Sequence, residues 1–165
     1  MIRKITRILL IAAITAALAG CSASAEPAEG PSQAAEEQLC LSVGEYQEEV
    51  RGILDEIKEA SADISYEDSS QVTELISVLK PLYEELAALV PPDSLSDEHA
   101  AIREICETNI HVLDLSEYIL SIDSSSATSE DLAKVDELQE ENSKLSSMQE
   151  TFEDALEAIY SATAD

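Results

Sequence analysis

After Gly52 the chain runs 113 residues to its end without another glycine. Glycine supplies the positive φ that two-residue hairpins and close phosphate-cradling loops require. Both devices are therefore excluded from most of the sequence. Apolar residues recur instead at spacings of three and four, the period of a helix with one buried face. Four segments carry the pattern. The first spans about Ala34 to Ala62, with Leu39, Val43, Tyr46, Val50, Ile53 and Ile57 on one stripe. The second spans about Gln71 to Val90, the third about Asp97 to Ile122, and the fourth about Ser129 to Thr163. Pro91-Pro92 stops the second segment, and Pro81 inside it removes one amide donor and is expected to bend it. Thr128 three residues before Asp131, and Ser94 three before Asp97, are spaced as helix caps. No segment shows sustained strand alternation. These features predict an all-α fold, an antiparallel up-down bundle of three to four helices, because amphipathic helices joined by short polar loops hide their stripes most simply that way.

Ahead of the bundle the composition changes. Ile8 to Gly20 is thirteen residues without a charge, short of the roughly 20 that a helix needs to cross a bilayer. Arg3, Lys4 and Arg7 precede it with no acid among them, so the run has the basic start, short apolar core and small-residue exit of a secretory signal. Its last residues, Leu18-Ala19-Gly20-Cys21, resemble the lipobox of bacterial lipoprotein precursors. The resemblance covers about the first twenty residues. It implies cleavage between Gly20 and Cys21, with diacylglycerol on the Cys21 thiol as the anchor to the cell membrane, on its extracytoplasmic face. An ordinary signal peptide cut near Ala23 or Ala25 is the other reading of the same run. Beyond the lipobox the chain resembles small helical-bundle lipoproteins of undefined function. The expected organisation is a signal peptide over 1–20, a lipidated cysteine and flexible linker over 21–33, and an acidic bundle over 34–163. The linker of Ser, Ala, Pro, Glu and Gly would hold the bundle about 18 to 20 Å from the membrane.

Thirty-five acids face nine basic residues in the full chain. Removing residues 1–20 takes three of those basic residues and no acid, leaving an excess of 29 negative charges. Such a surface repels phosphate backbones and anionic headgroups, which argues against nucleic-acid partners and against a domain lying flat on lipid. Membrane contact then falls to the lipid on Cys21. Each of the six remaining cations has an acid three or four positions away: Arg51 with Asp55, Lys58 with Asp55, Lys80 with Glu84, Arg103 with Glu107, Lys134 with Glu130 and Lys144 with Glu140. Pairing along the helices is the expectation.

Three cysteines are an odd number for an exported chain. With Cys21 lipidated, Cys40 and Cys106 remain as a possible disulfide, or as two reduced thiols packed as small hydrophobes. Glu107, His111 and Asp114 share one face of the third helix and could hold a divalent metal through one imidazole and two carboxylates. The plainer reading of that face is a solvated helix surface. His99 is expected to pack at a loop edge. Asn142, between Leu138 and Leu145, could set register in a self-association seam, although the bundle's own core has the same spacing and self-association is not favoured. Nucleophile-elbow and zinc-protease motifs are missing, so an enzyme is not expected and no cofactor is called for. The leading expectation is a membrane-tethered, non-enzymatic binding or scaffold module. A divalent-cation-binding protein, or a sensor or accessory subunit with an envelope protein partner, are the alternatives.

Overall fold

The computed structural model describes residues 41–62, 68–123 and 125–163, and the described residues form an all-α bundle. Helix α1 spans Val43–Ser61, α2 Ser69–Ala88, α3 Ser96–Ser121 and α4 Ser129–Ser161, with a 3-10 turn at Asp93–Leu95 leading into α3. At 1.5 Å per residue the 26 residues of α3 reach about 39 Å and the 33 of α4 about 50 Å.

The helices run up and down. The amide of Leu41, before α1, donates to the Val90 carbonyl after α2 at 3.4 Å. Tyr46 near the start of α1 meets His99 near the start of α3. Gln47 donates through Nε2 to the carbonyls of Ile159 and Ala162, where α4 ends, at 2.7 and 2.9 Å. At the opposite end the Tyr118 hydroxyl donates to Asp131, tying the last turn of α3 to the first of α4. α1 and α3 therefore point one way, and α2 and α4 the other. α3 packs on α2 along one flank and on α4 along the other, while α1 packs chiefly on α2.

Local chemistry sets the helix ends. Ser42 caps α1, its hydroxyl accepting from the Glu45 amide while the Glu45 carboxylate takes the Ser42 amide proton at 2.9 Å. That reciprocal box satisfies two orphan donors. It starts the helix at Val43, well after the expected Ala34; residues 34–40 lie outside the described residues. Asp68 caps α2 through the Ser70 amide, and Thr128 with Asp131 forms a second box at α4, as its spacing suggests. Ser94 does not cap α3. It sits inside the 3-10 turn, the capping position belongs to Leu95, and no side chain bonds there. Leu95 is only 3% exposed and anchors the start of α3 in the core. Pro81 lies inside α2 on the exposed side, as does Ser77, whose carbonyl loses its amide donor. Water can serve that carbonyl.

One core joins all four helices: Tyr46, Val50 and Ile53 from α1, Leu75, Leu79, Tyr83 and Leu86 from α2, Ile102, Ile105 and Leu113 from α3, Leu138, Leu145, Phe152 and Ile159 from α4. Leu138 and Leu145 are buried within the chain at 3% and 6% exposure, and Asn142 between them bonds back to its own helix at the Leu138 carbonyl, 2.9 Å away. Their apolar seam is spent inside the bundle.

The cations depart from the expected pairing along single helices. Arg103 does reach Glu107, at 3.9 Å, but Lys80 crosses from α2 to Asp114 of α3 at 2.6 Å and Lys144 crosses from α4 toward Glu104 of α3 at 3.8 Å. Lys134 takes Glu137 at 2.6 Å rather than Glu130. Arg51 lies over the Tyr160 ring, 5.2 Å from its centroid. A long side chain at a helix–helix boundary has acceptors on both helices, and i,i+4 spacing counts only those on its own. Such part-exposed pairs contribute little energy; their consequence is register.

The core assignment makes a direct prediction. Phe152 is 2% exposed and Leu132, on the same helix, 60%. Phe152→Ala should cost about 3 to 5 kcal/mol in urea unfolding, whereas Leu132→Ala should stay within about 0.5 kcal/mol of the parent; comparable losses would contradict the burial pattern.

Candidate functional site

The most chemically distinctive place among the described residues is a buried polar contact between the starts of α1 and α3. The Ser42–Glu45 box fixes the first turn of α1, and Tyr46 follows with its ring turned into the core, 0% exposed. The turn at Leu95 starts α3 so that His99 falls on the same stripe as Ile102 and Ile105, 5% exposed. The Tyr46 hydroxyl and His99 Nδ1 stand 2.8 Å apart. The rings meet edge to face, with centroids 5.8 Å apart and planes at 73°. The Ala87 carbonyl of α2 acts on the imidazole electrostatically, favouring its charged form. In the tautomer that carries its proton on Nε2, Nδ1 accepts the Tyr46 proton. Three helices thus meet on one neutral imidazole.

Electrostatics favour that neutral state. Burial pushes the His99 pKa below its ordinary 6.5, with Arg103 adding to the drop and the Ala87 carbonyl opposing it. Burial likewise raises Tyr46 and Tyr83. Cys106 is 1% exposed and is a free thiol; burial, with a contribution from Glu107, pushes it up to about 12. Tyr46 and Tyr83 each feel Cys106 electrostatically. The site therefore offers hydrogen bonds in a neutral, closed setting, with neither a thiolate nor a charged imidazole at neutral pH.

The residues singled out in the sequence are not brought together. Asp114 is taken by Lys80 of α2, His111 Nε2 lies 3.0 Å from Glu137 of α4, and Glu107 reaches Arg103. Lys134 also holds Glu137, and its hydrogen bond is the largest cause of that carboxyl's lowered pKa. Among the described residues no three His, Cys, Asp or Glu side chains form a group that could hold a metal ion. Gly20, Cys21 and Cys40 lie outside the described residues. No helix among the described residues is long and apolar enough to cross a membrane.

Reading for motifs missed the polar members of the α3 stripe. His99, Asn109 and Ser116 recur with Ile102, Ile105, Cys106, Val112 and Leu113 at three- and four-residue steps, and all are buried. Asn109 Nδ2 donates to the Ile105 carbonyl at 2.9 Å and Ser116 to the Val112 carbonyl at 2.7 Å. The 3.6-residue period marks them for burial, whatever their polarity.

No protein-family model, curated protein or solved structure matches the chain.

The closed setting of Cys106 can be checked chemically. In reduced, native protein at pH 8 the Cys106 peptide should remain unlabelled by iodoacetamide over a time in which it is fully alkylated in urea, as read by peptide mass mapping. Rapid native labelling of that peptide would show that the thiol is accessible or ionised.

Proposed function

We propose that the protein is a bacterial lipoprotein that holds an acidic helical bundle outside the cytoplasmic membrane as a non-enzymatic binding or scaffold module. The observation that carries this reading is the order of Arg3, Lys4 and Arg7, the uncharged run Ile8 to Gly20, and Leu18-Ala19-Gly20-Cys21 at its end. A multiply acylated cysteine binds membranes far more firmly than a single chain, whose anchoring is marginal. The charge excess supports a body that stands away from anionic headgroups on its linker. The bundle supports binding through its surface, because the polar side chains of the Tyr46–His99 contact are committed to joining helices.

A cation-binding reading has less to support it, since Glu107, His111 and Asp114 each turn to a different partner.

The anchor is tested at Cys21. In a bacterial host the parent protein should sediment with membranes and incorporate an alkyne-tagged fatty acid, while Cys21→Ala should lose the tag and move to the soluble or precursor fraction. A tag that persists in Cys21→Ala, or membrane partitioning that does not change, would overturn the assignment.

A further inference from the structure

We propose that the Tyr46–His99 contact is an acid-released latch, joining α1 to α3 at neutral pH and letting it go when the imidazole takes a proton. The Tyr46 hydroxyl and His99 Nδ1 lie 2.8 Å apart with both side chains almost wholly buried, and the neutral imidazole with its proton on Nε2 accepts the Tyr46 proton there. A protonated imidazole has N–H groups at both nitrogens and cannot accept. The Tyr46 hydroxyl must then turn its proton elsewhere at a position that water does not reach, and a charge stands in an apolar setting. Both costs vanish if the first turns of α1 lift away.

The other ties of α1 do not respond near neutral pH. Gln47 holds the Ile159 and Ala162 carbonyls through an uncharged amide, and Arg51 lies over the Tyr160 ring. The Glu45 carboxylate of the capping box is held below its ordinary pKa by the Ser42 hydroxyl and amide, so it stays ionised through the same range. The titratable and charged groups acting on the pair are Glu98, Arg103 and Cys106 of α3 and Tyr160 of α4, with Tyr83 of α2 beside Cys106. Arg103 disfavours a second positive charge at His99, and the buried tyrosines and thiol carry no compensating negative charge at neutral pH.

The sign follows from linkage. His99 has a lower pKa when packed than when exposed, so below the exposed value of about 6.5 the opened form binds the proton first. Latch stability is complete above that pH and falls by up to about tenfold in the opening equilibrium per pH unit, until the packed imidazole itself titrates. α1 is the element to respond, because it packs chiefly on α2 whereas α3 is held on both flanks. The latch rests on these contacts alone and stands whether or not Cys21 carries lipid.

Hydrogen exchange on the full chain, expressed as protection factors so that intrinsic pH effects cancel, reads the latch directly. Between pH 7.5 and 5.5 the protection of amides in residues 46–54 should fall more than twofold and by up to about tenfold while the centre of α3 changes little. In His99→Gln, whose amide oxygen accepts without titrating, the fall should be less than twofold. An equal fall in both proteins, or none in the parent, overturns the proposal. Should His99→Gln fail to fold, the His99 ring titration followed by NMR in the parent decides: a midpoint below 6.5 with loss of α1 protection over the same range supports the latch, and titration without that loss refutes it.

Discussion

Burial of α3 on both flanks is the constraint on which the other helices depend. Ten of its 26 residues are buried, including His99, Thr108, Asn109 and Ser116, too broad a band for a helix with one covered face. It needs a helix on either side. Polar residues in that band would be costly if they waited on neighbours for partners. Thr108, Asn109 and Ser116 avoid this by bonding carbonyls one turn back in α3 itself. α3 can therefore be enclosed without a matching polar surface on α2 or α4. His99 is the exception; its hydrogen-bond partner comes from α1, and with it the position of α1 becomes tied to α3.

The charge excess shapes how the bundle is finished. Few cations are present, and the structure spends several of them across boundaries, with Lys80 joining α2 to α3 and Lys144 joining α4 to α3. Along the α3–α4 seam, Tyr118 with Asp131, His111 with Glu137, and Lys144 with Thr108 form successive rungs that fix the antiparallel register. Carboxylates without cationic partners are placed usefully at helix starts. Glu45, Asp68 and Asp131 accept amide protons there, where the helix dipole favours negative charge. The pKa values of all three are lowered accordingly. An acidic composition thereby stabilises the helix ends even as it burdens the surface with self-repulsion.

The number of helices, their direction and most of their limits were legible in the sequence because apolar period and caps are local signals. α3 and α4 begin within a residue of the positions that spacing suggests, and Pro91-Pro92 does follow the end of α2. The start of α1 was missed although Ser42-Val-Gly-Glu45 carries the capping-box spacing; the apolar stripe, extended upstream through Leu39, outweighed it. Partners of the lysines were not legible, since a choice between an acid on the same helix and one on the next depends on packing. The imidazole contact was hidden for the same reason. Tyr46 could be read as core from its spacing, but its bond to a histidine 53 positions away is a product of helix direction and register.

α3 is the enclosed helix, and α1, packed chiefly on α2, is the more lightly held. Native-state hydrogen exchange at neutral pH under increasing urea measures the free energy of opening residue by residue. Amides of Ile105 to Leu113 should open only with global unfolding, at the highest free energy in the chain, and those of α1 at a lower, separate value. If α1 and the centre of α3 opened together at one free energy, or α3 opened first, this ordering of the bundle would be wrong.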